Sequence, residues 1–272
     1  MPSTLWPYVF LFLGVVSVLL TLNARWPARR GYLIAPSFFA ALLTAELPQL
    51  HLGFQLVATA ALVRVTDLSS WPSRLGLGLS ALSCLGLAWM TVESLRAKRV
   101  VESALAELRL QEQPEREPVP LTAIAMPFWL RDAKVERIGN LRYGPYGRRN
   151  FLDVYRPRSG AKNAPVILQI HGGAWVVGDK RQQGLPLMLH MAKKGFVCVA
   201  INYRLSPRSR FPDHLVDCKR ALAWIRENIA EYGGDPSRII VTGGSAGGHL
   251  AALVALTAND PRYQPGFEEV DT

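Results

Sequence analysis

Apolar residues dominate the first third of this 272-residue chain, in runs separated by short polar breaks. Four such runs begin at Leu5, Tyr32, Leu50 and Leu75, and each predicts a helix. The first and last approach the roughly 20 residues that a membrane crossing needs, whereas the middle two are short. We therefore predict a multi-pass membrane region over residues 1–92, with four helices, or three if the middle runs form a hairpin.

The charges beside these runs give conflicting indications of orientation. No basic segment precedes the first run and no small-residue cleavage site follows it, which argues against a cleaved signal peptide. Arg25, Arg29 and Arg30 follow the first run and favour a cytoplasmic loop there, which with four crossings leaves both termini outside. The basic segment 96–99 after the last run instead draws the rest of the chain toward the cytoplasm. The side of the membrane therefore stays open.

A connecting region follows the last apolar run. Residues 92–113 place apolar residues at helical spacing among charges, which predicts an amphipathic helix. The segment PEREPVP at 114–120 alternates charges between prolines, which predicts a stiff linker and a domain boundary near Pro120. The predicted organisation is a membrane region at 1–92, a helix and linker at 93–120, and a soluble domain at 121–272.

The soluble domain alternates predicted strands and helices. Segments 133–139 and 151–157 alternate apolar and polar residues and predict a meander of half-exposed strands. Later apolar runs are continuous, as in strands buried on both faces of a parallel sheet. These runs lie at 164–172, 195–203 and 238–244, and predicted helices lie at 182–195, 213–234 and 245–258. The alternation predicts an α/β fold with a mostly parallel sheet, right-handed crossovers and flanking helices.

Charge and cysteine content argue against two classes of function. The basic residues behind the formal net charge of +10 are scattered through loops, and no nucleic-acid-binding module surrounds them. They indicate a solvated basic surface or attraction to anionic lipid headgroups. Cys84, Cys198 and Cys218 are not spaced as a disulfide framework or a zinc site. We expect no nucleic-acid partner and no metal.

The first candidate motif joins a predicted buried strand to a predicted helix. Residues 243–247, Gly-Gly-Ser-Ala-Gly, fit the pattern G-x-S-x-G in the context that this pattern requires. A sharp turn there holds the serine in strained backbone geometry, and side chains at the flanking positions would collide with neighbouring backbone. The helix N-terminus then directs N–H groups toward the place where an oxyanion forms. Ser245 is the candidate nucleophile.

The second motif, HGGAW at 171–175, follows another predicted strand and matches the HGGG-type loop in outline. Gly172 and Gly173 let the backbone approach a substrate, and their amides together with that of Ala246 are candidates for an oxyanion hole. We interpret His171 as a brace for the loop rather than a general base. Trp175 is expected either to line the substrate pocket or to pack in the core.

Three ordered segments, 171–180, 202–225 and 235–253, together resemble the hormone-sensitive-lipase-like carboxylesterases of the α/β-hydrolase superfamily. They also resemble the related feruloyl-esterase-like, kynurenine-formamidase-like and prenylcysteine-methylesterase groups. The resemblance covers roughly residues 133–260. It implies that Ser245 is the nucleophile, that the backbone of Gly172, Gly173 and Ala246 surrounds the oxyanion, and that no cofactor takes part.

Two positions depart from the pattern of the lipase-like group. Ala174 stands where the HGGG loop has its third glycine, and Gly244 stands where an acidic residue often precedes the serine. Both departures favour the groups that carry HGGxW. They leave the choice of substrate open.

The sequence also contains an objection to hydrolysis. In α/β-hydrolases the triad follows the chain order serine, acid, histidine, and only His249 follows Ser245. His249 lies one turn along the same predicted helix and is interpreted as a packing residue, whereas His214 precedes the serine. We expect the triad acid and histidine to be missing from these residues, in a fragment of a longer enzyme or in a pseudoenzyme. The unprotected edge that strand 238–244 would form favours a fragment.

The sequence therefore predicts a membrane-anchored serine hydrolase that cleaves carboxylic esters through an acyl-enzyme on Ser245. The expected partners are membrane lipids and a small-molecule or lipid-like ester. An amidase or formamidase with the same machinery, or a non-catalytic hydrolase-like membrane protein, are the alternatives.

Overall fold

The computed structural model describes residues 5–107 and 131–272, and the chain forms two compact units, Met1–Pro118 and Val119–Thr272. The predicted linker at 114–120 and the end of the predicted connecting helix, residues 108–113, lie outside the described residues. The described part of that helix is helical except for a turn at residues 95–96, which divides it.

The first unit is helical. Each of the four apolar runs forms a helix, as predicted, and a fifth, amphipathic helix follows them. The helices are α1 (Trp6–Arg25), α2 (Ile34–Glu46), α3 (Pro48–Val65), α4 (Trp71–Ser94) and α5 (Ala97–Glu107). Two helical segments are long and apolar enough to cross a membrane, Trp6–Arg25 and Trp71–Glu107.

Helices α1 and α4 pack closely along their length because small residues lie between them. A Cβ on Gly14 would lie 2.7 Å from the carbonyl oxygen of Gly76, and a Cβ on Gly86 would lie 2.7 Å from the Thr21 methyl group. Tyr8 meets Trp71 near the start of both helices, with 6.4 Å between ring centroids. The two helices therefore run parallel to each other.

Three buried polar side chains inside the first unit hydrogen-bond one another. The hydroxyl oxygens of Thr21 and Ser83 lie 2.8 Å apart, and the Ser83 hydroxyl donates to Gln55 Oε1 at 3.0 Å. The Gln55 amide donates to the carbonyl oxygen of Ser80 at 3.1 Å. This network links α1, α3 and α4 without leaving these buried polar groups unpaired.

The second unit is a five-stranded sheet with helices on both faces. The strands are β1 (Val135–Arg142), β2 (Phe151–Pro157), β3 (Ala164–Ile170), β4 (Val197–Ile201) and β5 (Gly234–Gly243), in the spatial order β1-β2-β4-β3-β5. The helices are α6 (Leu185–Lys193), α7 (Asp213–Asn228) and α8 (Ala246–Leu256). The strand and helix predictions for this unit are confirmed in type and order.

The sheet is mixed, so the prediction of a mostly parallel sheet is confirmed in part: β1, β3, β4 and β5 point the same way and β2 runs opposite to them. β1 and β2 form the predicted antiparallel meander, and β2 then pairs antiparallel with β4. Only β3 pairs in parallel, with β4 on one side and β5 on the other. The meander explains the mixed sheet. Because β2 turns back beside β1, it lies antiparallel both to β1 and to its other neighbour, β4.

The core lies on both sides of the central strands. Every residue of β4 is buried, which confirms that its continuous apolar run fills both faces. Met188 and Ala192 of α6 pack against Ile167 on one face, whereas α7 and α8 cover the other face. From β3 the chain reaches β4 through α6, and β4 leads through α7 to β5 on the opposite side of β3. Strand order therefore reverses at β3, the place where α/β sheets form binding crevices.

Candidate active site

The two glycine-rich motifs meet at the carboxyl ends of β3 and β5. Ile170 at the end of β3 pairs in register with Gly243 at the end of β5, so the loops that follow start side by side. A Cβ built on Gly172 would lie 3.3 Å from the Cβ of Ser245. The HGGAW loop and the serine turn therefore form one site.

Ser245 has the strained backbone that the motif predicts. Its φ of +54° and ψ of −122° lie in a region that L-residues seldom adopt, and α8 begins at the next residue. Its side chain is exposed rather than turned into the core. The hydroxyl is thus presented at the N-terminus of a helix, where backbone N–H groups favour negative charge.

Glycine is required at two positions around Ser245 for steric reasons. A Cβ on Gly243 would lie 2.5 Å from the carbonyl carbon of Gly247, and one on Gly247 would lie 2.7 Å from the carbonyl oxygen of His171. By contrast, a Cβ on Gly244 would meet nothing closer than Gln183 Oε1, at 3.9 Å. The close packing of α8 on the end of β3 therefore depends on Gly243 and Gly247.

The HGGAW loop is a tight turn with its own strained residues. Gly173, Ala174 and Trp175 have φ values of +121°, +51° and +59°. The amides of Val176 and Val177 both donate to the carbonyl oxygen of Gly173 at 3.0 Å, which closes the turn. Strain at consecutive residues is a common property of functional loops.

The three predicted oxyanion donors differ in their present partners. The Gly172 amide donates to the side-chain oxygen of Gln183 at 2.8 Å. The amides of Gly173 and Ala246 meet no acceptor among residues 5–107 and 131–272. These two N–H groups thus have no acceptor in the described part of the chain, and the third is engaged by a side chain that the sequence did not indicate.

His171 braces the loop. Its Nδ1 lies 2.8 Å from the carbonyl oxygen of Gly172, and its ring stacks on Tyr203 with 4.4 Å between centroids. The Tyr203 hydroxyl donates to the His171 carbonyl oxygen at 2.9 Å. Burial lowers the pKa of His171, which favours a neutral ring at neutral pH. These contacts agree with a structural role for His171.

None of the described histidines hydrogen-bonds the Ser245 hydroxyl. His249 is exposed on α8 and makes an edge contact with the Trp175 ring, with 5.3 Å between centroids. Nε2 of His214 lies 3.3 Å from the Ser206 hydroxyl oxygen. In the described part of the chain the Ser245 hydroxyl therefore has no basic side chain hydrogen-bonded to it.

A cavity of about 380 Å³ opens beside the two loops. Trp175 lines it and also packs against the core, so its core packing is confirmed and its role toward a substrate stays a prediction. Phe211 and Leu250 add apolar surface, and His214 and His249 supply polar edges. The cavity has the mixed apolar and polar lining that small-molecule sites share.

A buried ion cluster that sequence reasoning missed holds the far end of the HGGAW loop. Asp153 on β2 is fully buried and pairs with Lys180 at 3.0 Å and with Arg181 at 2.9 Å. Burial would raise the pKa of Asp153, but hydrogen bonds from Arg181, the Asn140 amide and Lys180 outweigh it and lower that pKa. The Gly-Asp-Lys sequence at 178–180 was the only signal of this cluster in the sequence.

Arg204 and Asp217 form a second buried pair that the sequence did not reveal. The guanidinium group donates to both carboxylate oxygens of Asp217, at 2.9 and 3.1 Å for Nε and 2.9 Å for one NH group. The pair fixes residues 203–205 against α7. Two residues further on, the Ser206 amide donates to the Trp175 carbonyl oxygen at 2.8 Å and so supports the HGGAW loop.

The fold and the paired loops define an α/β-hydrolase-like domain, and comparison with known families agrees. The family model BD-FAE matches residues 152–271, which include β2 to β5 and both motifs. The chain is thereby recognised as a relative of the α/β-hydrolase carboxylesterases.

Three relatives are esterases of Mycobacterium tuberculosis. The probable carboxylic ester hydrolase LipM is 43% identical over 284 residues, covering 96% of this chain and 63% of LipM. Esterase LipQ is 58% identical over 135 residues, or 49% of this chain and 32% of LipQ. Esterase LipC is 48% identical over 119 residues, or 43% of this chain and 30% of LipC. The chain thus spans less than two thirds of the length of each of these relatives.

Proposed function

We propose that this protein is a serine hydrolase that cleaves carboxylic esters through an acyl-enzyme on Ser245. One observation carries the proposal. The strained, exposed serine at the N-terminus of α8 lies against the HGGAW loop, with 3.3 Å between its Cβ and a Cβ built on Gly172. Nucleophile and oxyanion donors are thereby in reach of one carbonyl group.

In the proposed reaction the Ser245 hydroxyl oxygen attacks the ester carbonyl carbon while a base takes its proton. The oxyanion of the tetrahedral intermediate accepts hydrogen bonds from the amides of Gly173 and Ala246, and from that of Gly172 once Gln183 moves away. Each well-placed donor contributes about 3–4 kcal/mol to the stabilisation of the transition state. Collapse expels the alcohol with that proton and leaves the acyl-enzyme, which water then hydrolyses.

We further propose that residues 1–272 lack the base and the acid of a triad. Two of the acidic residues that follow Ser245, Asp260 and Asp271, support this reading because they are engaged elsewhere. Asp260 binds Arg262 at 2.6 Å, and Asp271 binds Arg226 at 2.8 Å. A serine without a base is a weak nucleophile, so this chain by itself should acylate slowly.

The cavity beside the loops suits an ester with an apolar group. Trp175, Phe211 and Leu250 supply the apolar surface that would contact an alkyl or acyl chain. A lipid-like ester agrees both with this lining and with a membrane location for the protein.

The test compares short-chain p-nitrophenyl esters with N-formyl amides, using the full chain and added imidazole as a substitute base. We expect imidazole to accelerate ester cleavage by the wild-type chain but not by Ser245→Ala, after subtraction of the reaction in solution. Ser159→Ala, which changes an exposed serine, should behave as wild type. Preference for the formyl amides would indicate an amidase, and equal rates in wild type and Ser245→Ala would indicate a non-catalytic protein.

We propose that the first unit crosses a membrane three times. Parallel α1 and α4 support an odd number of crossings, since a fourth crossing would make the first and last helices antiparallel. The C-terminal ends of α1 and α4 then lie on the same side of the membrane. The basic residues that follow the two helices therefore indicate the same orientation. Positive charge favours the cytoplasm at both places, and the chain would leave α4 on the cytoplasmic side.

Tags at the two termini test this topology. We expect an N-terminal tag to be accessible to antibody in intact cells and a C-terminal tag to need permeabilised cells. Tags that are accessible on the same side would contradict three crossings. A chain that does not sediment with membranes would contradict insertion altogether.

A further inference from the structure

A groove between α1 and α4 has one cationic end and apolar walls. Its volume is about 240 Å³, and Val18 and Leu22 of α1 face Leu85 and Met90 of α4 across it. Arg25, the last residue of α1, is the charged residue that lines it. Such a combination complements an amphiphile with an anionic head and an alkyl tail.

The polar atoms along the groove are already engaged, so its walls offer mainly apolar surface. The Thr21 hydroxyl donates to the carbonyl oxygen of Ser17 at 2.9 Å, and the Ser83 hydroxyl donates to Gln55. A ligand in the groove would therefore meet methyl and methylene groups over most of its length.

Arg25 is held in place but keeps its hydrogen-bond donors. Its guanidinium carbon lies 5.5 Å from the centre of the Trp26 ring and 5.3 Å from that of Trp89. Within the described residues no carboxylate pairs with Arg25 and no oxygen accepts a hydrogen bond from it. A guanidinium between two indoles, with its planar donors unused, is suited to bind a phosphate.

The groove opens where acidic lipids are expected under the proposed topology. Trp26 and Trp89 have the amphipathic rings that favour the membrane interface, and both lie near the ends of α1 and α4 that we assign to the cytoplasmic side. Acidic phospholipids give the cytoplasmic leaflet its negative potential. A zwitterionic headgroup carries its own cation beside the phosphate, which would weaken the attraction to Arg25.

We propose that the groove binds an acidic phospholipid, with its phosphate on Arg25 and one acyl chain between α1 and α4. This inference rests on the proposed membrane insertion and is independent of the proposed hydrolysis. The lipid would act as a structural ligand that fills the groove along the two packed helices.

The experiment uses the full chain in nanodiscs that contain phosphatidylglycerol with a photoreactive diazirine in its acyl chain. We expect crosslinks on α1 and α4 along the groove, found by mass spectrometry. Arg25→Gln should reduce their yield about fivefold, as expected for the loss of one interfacial cation. Leu85→Trp, which fills the groove without a change of charge, should also remove them.

Arg29→Gln is the matched control, because it removes an exposed positive charge from the same end of the unit. An equal loss of crosslinks in Arg29→Gln would overturn the proposal in favour of general surface attraction. Equal crosslinking by a phosphatidylcholine probe would overturn the acidic-lipid specificity. Incorporation of the protein into nanodiscs without crosslinks in the groove would overturn the site alone, whereas failure to incorporate would overturn insertion as well.

Discussion

The side-chain oxygen of Gln183 lies 2.8 Å from the backbone nitrogen of Gly172 and accepts its hydrogen bond. In the proposed reaction this amide is one of the donors that would stabilise the oxyanion. Under that proposal the carboxamide oxygen of Gln183 takes the position of the oxyanion, and a substrate would have to displace it.

Removal of the Gln183 side chain should make the Gly172 amide available. We expect Gln183→Ala to raise the rate of imidazole-assisted acylation about three- to tenfold, which corresponds to the net value of one hydrogen bond. Gln182→Ala, which shortens the neighbouring exposed side chain, should leave the rate unchanged. A slower reaction in Gln183→Ala would mean that Gln183 supports the loop rather than blocks it.

Gly247 and Gly244, on either side of Ser245, offer a matched pair of substitutions that tests how tight packing at the turn affects the free energy of unfolding. A Cβ on Gly247 would lie within contact of the Ile170 and His171 carbonyl oxygens, whereas one on Gly244 would meet nothing closer than 3.9 Å. We expect Gly247→Ala to lower the free energy of unfolding by about 1–3 kcal/mol, because the steric cost exceeds the gain in helix propensity. Chemical denaturation measures this effect. Gly244→Ala should be close to wild type, and equal losses in both variants would be inconsistent with a steric role for Gly247.

The buried carboxylate of Asp153 should be important for stability. Asp153→Asn leaves Lys180, of which only 4% is exposed, without its ion-pair partner. We expect the free energy of unfolding to fall by about 3–5 kcal/mol, the usual cost of an uncompensated buried charge. Glu136→Gln breaks a partly exposed pair with Arg156 and should cost less than about 1 kcal/mol. Similar losses in the two variants would contradict the account of this cluster.

His171 should make the second unit less stable in mild acid. Burial lowers its pKa below the ordinary value of 6.5 in the folded state, so the unfolded chain binds the proton more tightly. Stability from this residue is present above pH 6.5 and is lost as the pH falls toward the lowered pKa. We expect the melting temperature to fall between pH 7.5 and 5.5, with a smaller slope in His171→Gln. The same slope in His171→Gln as in wild type would show that His171 does not contribute.

Hydrophobic periodicity predicted most elements of the fold because burial itself sets that periodicity. The continuous run at Val197–Ile201 became a strand buried on both faces, and the alternating segment 151–157 became a strand of the meander. The direction of α1 relative to α4 was not predictable in the same way. Hydropathy indicates the length of a helix, whereas its direction depends on contacts such as that between Gly14 and Gly76.

The site was predictable where its geometry is local in sequence. The strained turn at Ser245 and the glycine at 247 follow from one short motif. Gln183 was not predictable, because its contact with Gly172 depends on the path of a loop rather than on a pattern in the sequence. The same holds for Asp153 and Lys180, which come from a strand and a loop that meet only in the folded chain.

The central claim is that the turn at Ser245 presents a nucleophile to a ready oxyanion site, and fluorophosphonate labelling tests it most directly. We expect weak labelling of the wild-type chain, strong labelling of Ser245 when imidazole is added, and none in Ser245→Ala, as mapped by peptide mass spectrometry. Strong labelling without imidazole would contradict the absence of a base. No labelling of Ser245 at any imidazole concentration would contradict the assignment of this site to hydrolysis.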